Sequence, residues 1–324
     1  MRIVFLGSGT FGLPALGALG EEGQEVVLVV TQPDRPAGRG QAVTIGPIKR
    51  FARDREMPLA QPEDVNSPAA VRRIQRAAPD LLLVIAYGQK LGPKLLAAAR
   101  HGGINLHGSL LPKYRGAAPV NWAIIRGETE TGLSVIAMTD TMDAGDILGQ
   151  RATVIAPDET AGQLHDRLAD LSARLVTEVV RDLAMDEAAP RRQNESQATY
   201  APRLKKTDGL IRWDKPALDV YNQIRGTTPW PGAYAFLPAR RDQESLRLVV
   251  ARAAVASSAP AKGEPGTVLQ ATAAGLDVVT ARGVVRLLEL TPAGKRTMSA
   301  ADFLHGHPVA SGTRLAAEPK GADA

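Results

Sequence analysis

An amide, an imidazole and a carboxylate occur in two motifs in the middle of the chain. Asn105 and His107 begin the stretch Asn-Leu-His-Gly-Ser-Leu-Leu-Pro, and Asp143 follows within Met-Asp-Ala-Gly-Asp. A carboxamide and an imidazolium are good donors to a developing oxyanion, and a carboxylate can orient the imidazole or receive a proton. Neither a serine nor a cysteine nucleophile belongs to this trio. The pattern therefore favours direct transfer of a small carbonyl group through a tetrahedral intermediate.

Each member of the trio also has an ordinary structural explanation. His107 could be a buried histidine that forms a hydrogen bond at the end of a strand. Asp143 and Asp146 could cap a turn around Gly145, because aspartate readily bonds to nearby backbone N–H groups. Spacing alone leaves the catalytic and the structural interpretation open.

The residues that follow His107 predict a pocket lined by main chain. The glycine and proline in this stretch would leave backbone N–H and C=O groups facing a flat heterocycle, and Leu110 and Leu111 would form apolar walls. An ordinary surface loop is the alternative.

Short β-branched runs alternate with helix-like segments through the first half of the chain. This alternation predicts an α/β domain, with a Rossmann-like, doubly wound and mostly parallel sheet. Open sheets of this class bind ligands at the carboxyl ends of their strands. Asn105 and His107 end one run and share a face of it, because they are two residues apart. The runs span residues 2–6, 25–30, 80–86, 103–107 and 133–138.

A change of pattern in the second half predicts a second domain. Residues 160–184 have the apolar stripe of a long amphipathic helix, with Thr160 as its N-cap. A polar, proline-containing stretch follows, and then short strands separated by glycine and proline turns, which predict a small OB-like β-barrel. The strands span 233–237, 246–255, 266–270, 276–280 and 284–290. We expect a catalytic domain at 1–185, a basic linker at 186–207, the barrel at 208–316 and a tail at 317–324.

A glycine pattern near the amino terminus has two interpretations. Gly7, Gly9 and Gly12 fit G-x-G-x-x-G between a strand and a helix, and Asp34 lies where a ribose-binding acid could lie. The glycines could equally form a tight strand-to-helix turn that binds no cofactor. The sequence alone leaves both possibilities open.

The loop spanning residues 32–41 is long and rich in proline and glycine. It carries Arg35 and Arg39 where an α/β fold usually has a short connection. The arginines of this loop could bind a phosphodiester backbone through charge. The loop could equally be a solvated insertion that binds nothing.

Composition narrows the class of protein. The 324 residues are 44% hydrophobic and 23% charged, which is typical of a packed globular enzyme. The absence of cysteine excludes disulfides and thiolate sites, and five scattered histidines predict no metal centre. A net charge of +5 permits a polyanionic partner. No apolar run approaches the roughly 20 residues of a membrane span. We expect a cytoplasmic protein and, without a self-association motif, a monomer.

Taken together, these motifs resemble the methionyl-tRNA formyltransferase family, and the resemblance covers almost the whole chain. The block at 104–119 is typical of enzymes that use 10-formyltetrahydrofolate. The loop with Arg39 and the carboxyl-terminal motifs narrow the resemblance to the tRNA branch. The matching motifs lie at residues 31–40, 84–88, 104–119, 143–146, 229–231 and 292–296.

The resemblance implies a role for each motif. It implies a formyltransferase fold that binds 10-formyltetrahydrofolate rather than a nicotinamide dinucleotide, and an OB-fold domain that helps to hold methionyl initiator tRNA. Asn105, His107 and Asp143 match the catalytic trio of the family. The folate-binding strip would be Ser109, Leu110, Leu111 and Pro112. The tRNA contacts would include Arg35, Arg39, Lys205 and Lys206.

Three other functions fit parts of the sequence. A formyltransferase that acts on a small amine, such as an amino sugar nucleotide or a purine precursor, would use the same trio without the basic loop or the barrel. A nicotinamide-dependent oxidoreductase would use the glycine turn. A non-catalytic RNA-binding protein would not need His107.

Overall fold

The computed structural model describes residues 1–37, 42–238 and 245–316, and the chain forms two compact units. The boundaries expected from the sequence at 185, 207 and 316 remain predictions. The first unit comprises Met1–Pro119, Glu130–Val154 and His165–Ala201, and the second comprises Val120–Thr129, Ile155–Leu164 and Pro202–Ala324.

The first unit is built on a seven-stranded sheet whose order is β10-β9-β7-β6-β1-β2-β5. The five strands from β7 to β5 run parallel, and β9 and β10 run antiparallel to their neighbours. The central strands are runs of buried aliphatic residues, as expected where helices cover both faces of a parallel sheet. The strands are β1 (Arg2–Gly7), β2 (Glu25–Val30), β5 (Leu59–Ala60), β6 (Leu81–Ile85), β7 (Gly103–His107), β9 (Glu130–Ala137) and β10 (Ile147–Val154).

Two small ribbons accompany this sheet. Strand β3 (Arg35–Ala37) pairs antiparallel with β4 (Ala42–Thr44). Strand β8 (Arg115–Gly116) pairs in parallel with β11 (Tyr200–Ala201), which follows the long helix in the chain. The second ribbon joins the stretch after His107 to residues that the sequence assigned to a linker.

Helix α6 (Ala161–Ala184) begins with the cap that its sequence predicts. At the start of α6, the Thr160 hydroxyl accepts from the Gln163 N–H at 3.3 Å, and Gln163 Oε1 accepts from the Thr160 N–H at 2.9 Å. This reciprocal pair is a capping box. None of the helices in the described ranges is long and apolar enough to cross a membrane. The helices before the barrel are α1 (Leu13–Glu21), α2 (Pro47–Asp54), α3 (Pro68–Arg76), α4 (Pro93–Leu96), α5 (Pro119–Ile125) and α6 (Ala161–Ala184).

The second unit contains an antiparallel sheet of order β12-β13-β16-β15-β14, with β17 paired to β16. Residues 313–316 bond to β12 through Phe236 and to the start of β14 through Val268, so they join the two edges of the sheet. This closure is the barrel predicted from the sequence. The elements are α7 (Ala217–Gly226), β12 (Ala233–Leu237), β13 (Leu246–Ser257), β14 (Val268–Thr272), β15 (Gly275–Val279), β16 (Val284–Pro292), β17 (Met298–Ser299) and α8 (Ala300–Gly306).

Helix α8 is an element that the sequence did not predict. The Ser299 hydroxyl caps it by accepting from the Asp302 N–H at 3.1 Å, and Phe303 is fully buried in the barrel core. The glycine and proline residues of this region are typical of loops, and they obscured the signal of this short helix. The predicted tail at 317–324 lies outside the described residues.

Candidate active site

Asn105 and His107 lie at the carboxyl end of β7. His107 is buried, with 6% of its side chain exposed, whereas Asn105 is half-buried. Both side chains project from one face of the strand, because residues two apart alternate back to the same side. Within the described part of the chain, the Asn105 carboxamide has no hydrogen-bond partner, so its N–H groups remain available to a ligand.

The His107 imidazole is oriented by a backbone carbonyl. Its Nε2 atom lies 2.8 Å from the Tyr114 carbonyl oxygen. A carbonyl only accepts, so Nε2 carries a hydrogen. Its Nδ1 atom faces Asp143 Oδ2 at 3.7 Å, which is within ion-pair range but too long for a direct hydrogen bond. The Tyr114 carbonyl therefore orients the ring, and the Asp143 carboxylate lies beside its other nitrogen.

The loop that carries Asp143 has a constrained backbone. Asp143 has a φ of +53°, in the left-handed region that aspartate tolerates better than most residues. A Cβ atom on Gly145 would lie 1.7 Å from the Ala137 carbonyl oxygen, so only glycine fits there. Asp143 Oδ2 accepts from the Gly116 N–H at 2.8 Å. This bond comes from a residue that is distant in sequence, which disfavours the local-cap interpretation for Asp143.

Two residues of the expected folate-binding strip are built into the protein interior. The Ser109 hydroxyl donates to the Lys113 carbonyl at 2.6 Å. The Leu111 N–H donates to Ser134 Oγ at 3.0 Å, and the Leu111 carbonyl accepts from Gln150 Nε2 at 2.9 Å. These hydrogen bonds therefore fix the backbone of the strip and involve groups that face the protein interior.

The other two residues of the strip, Leu110 and Pro112, are half-buried. Leu110 packs against β9, where a Cβ atom on Gly132 would come within 2.6 Å of the leucine side chain. Their partial exposure makes them the members of the strip that can still contact a ligand.

The glycine turn at the amino terminus serves packing. A Cβ atom on Gly7 or Gly12 would collide with the Phe5 ring, at 2.7 Å and 2.9 Å, whereas one on Gly9 would meet nothing within 4 Å. The expected ribose-binding acid, Asp34, is already paired. These contacts favour the strand-to-helix turn among the two interpretations of the motif.

The partners of Asp34 are Lys49 and Gln61. The ammonium group of Lys49 forms an ion pair with this carboxylate, and Gln61 Nε2 donates to it at 3.0 Å. The hydrogen bond from Lys49, followed by that from Gln61, lowers the pKa of Asp34 below its ordinary value. The carboxylate is therefore charged at neutral pH.

The residues expected to contact tRNA are exposed where they are described. Arg35 is exposed and lies 3.9 Å from Glu63, a weak surface pair. Lys205 and Lys206 are exposed at the start of the short 3-10 helix Lys206–Gly209. Arg39 lies outside the described residues.

The sequence missed a residue that contacts the Asp143 loop from the segment after α6. Gln193 is 5% exposed, and its Nε2 atom donates to the backbone carbonyls of Asp143 at 2.8 Å and Gly145 at 2.7 Å. Its Oε1 atom accepts from the buried Arg115 guanidinium. Residues 191–201 thus belong to the first unit, with Gln193 and Ala201 buried. No signal in the polar composition of this segment distinguishes it from a surface linker.

Candidate metal ligands do not cluster within the described residues. Over the ranges described, no three histidine, cysteine, aspartate or glutamate residues come together as a candidate metal site.

Comparison with known proteins identifies the class. The formyl transferase model matches residues 1–180, and the formyl transferase C-terminal domain model matches residues 203–308. Fold, site and both matches define a two-domain formyl transferase. A methionyl-tRNA formyltransferase from Geobacter sulfurreducens is 45% identical over 315 residues, which cover 97% of this chain and 96% of that relative. The chain belongs to the methionyl-tRNA formyltransferase family.

Solved structures share the fold at low identity. HypX from Aquifex aeolicus, determined in complex with tetrahydrofolic acid, has a TM-score of 0.60 and 16% identity, over 94% of this chain and 47% of that one. The sugar 3N-formyl transferase WlaRD has a TM-score of 0.64 and 14% identity, over 91% of this chain and 99% of that one. These likenesses support the fold assignment.

Proposed function

We propose that this chain transfers the formyl group of 10-formyltetrahydrofolate to the α-amino group of methionyl initiator tRNA, with Asn105, His107 and Asp143 as its catalytic residues. Membership of the methionyl-tRNA formyltransferase family supports the reaction. One observation carries the assignment of the residues. At the carboxyl end of β7, a buried imidazole faces the Asp143 carboxylate at 3.7 Å. Two residues away on the same face lies the Asn105 carboxamide, which has no hydrogen-bond partner among the residues that the structure describes.

The reaction begins when the neutral amine attacks the formyl carbon of the donor. A carbon–nitrogen bond forms, and the electron pair of the formyl carbonyl moves onto its oxygen. The Asn105 carboxamide donates to this oxyanion, and His107, as an imidazolium, donates from Nδ1. Since Nε2 is bonded to the Tyr114 carbonyl, Nδ1 is the nitrogen that remains for the substrate.

The second half of the reaction moves a proton from the attacking amine to the leaving nitrogen. Asp143 accepts the proton, directly or through water, and returns it to N10 of the folate. The bond between the formyl carbon and N10 then breaks, the carbonyl reforms, and tetrahydrofolate leaves. Atoms and charge balance without a covalent enzyme intermediate.

The same trio supplies two oxyanion donors and a proton acceptor, and we therefore propose transfer without a metal. Full activity in the presence of a chelator such as EDTA is the expected result.

We further propose a cytoplasmic monomer. Sedimentation at micromolar concentration should give the mass of one chain.

Basic residues provide the proposed contact with the tRNA backbone. Lys205 and Lys206 are exposed neighbours on the second unit, and Arg35 is exposed on the first. Each lysine that neutralises a phosphate makes binding more salt-dependent. We expect Lys205→Ala to raise KM for charged tRNA and to weaken its salt dependence, with kcat unchanged.

A transfer assay tests the proposed function. The protein is incubated with 10-formyltetrahydrofolate and either methionyl initiator tRNA or small amines such as an amino sugar nucleotide, and formylated product is measured by mass spectrometry. Formylation of the tRNA alone is expected. Formylation of a small amine alone would reassign the acceptor, and no transfer to any amine would remove the proposal.

A further inference from the structure

We propose that Gln193 is a positioning residue for this reaction, since its carboxamide fixes the loop that presents Asp143 to His107. The inference rests on the proposed function, because it requires that Asp143 take part in formyl transfer. Gln193 lies 50 residues from Asp143 in the chain and beyond α6. Its side chain touches the backbone of the loop and not the reacting carboxylate.

The two hydrogen bonds from Gln193 hold both sides of the loop turn. Nε2 donates to the Asp143 carbonyl at 2.8 Å and to the Gly145 carbonyl at 2.7 Å. Both bonds are short for N–H···O contacts. An amide nitrogen has two hydrogens, so one group satisfies both carbonyls at once. The backbone of Asp143 is thereby held in its left-handed conformation.

Arg115 in turn fixes the orientation of the Gln193 amide. Its guanidinium donates to Gln193 Oε1 from Nε at 3.2 Å and from Nη2 at 2.7 Å. Since the guanidinium only donates, it selects the amide orientation in which nitrogen faces the loop. Arg115 is itself held by two bonds to Glu195, each of 2.8 Å.

Two residues of strand β8 are linked to the Asp143 loop, one indirectly and one by a direct hydrogen bond. Arg115 acts on the loop backbone through Gln193, and the adjacent Gly116 N–H donates directly to Asp143 Oδ2. Pairing of β8 with β11 anchors both contacts, because β11 continues from the segment that carries Gln193.

A substitution that keeps shape but reverses the chemistry gives the sharpest test. Gln193→Glu retains size and can still accept from Arg115, but it places a carboxylate oxygen against two carbonyl oxygens. The loop should move, and kcat should fall by about 10- to 100-fold, the scale expected for a small misplacement of a catalytic group. KM for charged tRNA and for the folate donor should change by less than about threefold, because Gln193 binds neither substrate.

Two further variants separate positioning from folding. Gln193→Met has nearly the same shape and removes the donor without adding charge, so it should also lower kcat if Gln193→Glu fails to fold. Gln197→Glu makes the same chemical change at an exposed position of the same segment and serves as the matched control. Its kcat and its melting temperature should match those of the parent.

A double-mutant cycle distinguishes a positioning role from a merely structural one. If Gln193 acts through Asp143, then Asp143→Asn combined with Gln193→Glu should be no slower than Asp143→Asn alone. A double variant whose kcat falls below that of Asp143→Asn by the full factor of the Gln193→Glu defect would overturn the inference. A folded Gln193→Glu or Gln193→Met protein with parental kcat would also overturn it. Full activity of Asp143→Asn would instead overturn the proposed role of Asp143 and the inference with it.

Discussion

Two aspartates, Asp277 buried in the second unit and Asp143 half-buried in the first, hold their carboxylates in different ways. In the barrel, Asp277 has 7% of its side chain exposed and accepts from Arg286 on the neighbouring strand, from Nε at 2.6 Å and from Nη2 at 2.9 Å. Gln270 donates to it at 2.6 Å. Asp143 has 11% of its side chain exposed, accepts from one backbone N–H, and faces His107 at a distance too long for a hydrogen bond.

This difference matches the proposed roles, with a structural carboxylate at Asp277 and a proton acceptor at Asp143. The Arg286 guanidinium binds both oxygens of Asp277. These bonds are the largest cause that lowers the pKa of the Asp277 carboxyl group below its ordinary value. Such a group is poorly suited to accept a proton. In the Asp143 region, the nearby Arg115 guanidinium binds Gln193 and Glu195 rather than the Asp143 carboxylate. The loop is thus held through its backbone by Gln193 rather than by an arginine on the carboxylate, as the proposed role of Asp143 requires.

The largest effect should come from removing the charge of Asp143. Asp143→Asn keeps the acceptor for the Gly116 N–H but removes the proton acceptor, so kcat should fall by roughly 10²- to 10⁴-fold, as for other general acid–base groups. Thermal unfolding followed by circular dichroism should be close to that of the parent. Transfer within about twofold of the parental rate would place Asp143 with Asp277 as a structural group.

A methyl group at Gly145 should have the next largest effect. Because a Cβ atom there would lie 1.7 Å from the Ala137 carbonyl oxygen, Gly145→Ala must displace the loop. We expect kcat to fall by about 10²-fold. Gly9→Ala is the matched control, since its Cβ atom would meet nothing within 4 Å. Equal kcat values for the two variants would show that the loop position does not limit transfer.

The barrel aspartate should affect stability and leave the chemistry unchanged. Asp277→Asn removes the charged acceptor from Arg286 and should lower the free energy of unfolding by about 2 kcal/mol. All three tryptophans, Trp122, Trp213 and Trp230, belong to the second unit, so tryptophan fluorescence in urea reports on this unit. The kcat should equal that of the parent. A loss of kcat with unchanged stability would reverse the assigned roles of the two aspartates.

The sequence predicts strand β7 and the placement of its polar residues well, for a local reason. Asn105 and His107 are two residues apart in a buried β-run, and the alternation of a strand alone places them on one face. The mostly parallel sheet and the antiparallel barrel strands follow from equally local patterns of apolar residues. These predictions are confirmed. The catalytic roles remain a proposal.

The contacts that fix the site could not be predicted in this way. The Tyr114 carbonyl contacts His107 across a loop of only seven residues, and the Gln193 amide makes two hydrogen bonds to the Asp143 loop from about 50 residues further along the chain. Neither kind of contact leaves a periodic trace in the sequence. Strand β10 was also missed. Its burial is irregular, and Gly149, Gln150 and Arg151 interrupt the apolar pattern.

The smallest expected effect is a pH dependence that belongs to Asp277. Because its pKa is lowered in the folded protein, chiefly by Arg286, its contribution to stability is fully present above the unfolded pKa, which is about 3.9. That contribution is lost as pH falls through the lower folded value. The difference in unfolding free energy between the parent and Asp277→Asn should therefore be constant from about pH 7 to pH 5 and should shrink below about pH 4. Urea titrations with tryptophan fluorescence at pH 7, 5 and 3.5 measure it. A difference that grows on acidification would mean that burial, and not Arg286, dominates at this carboxylate.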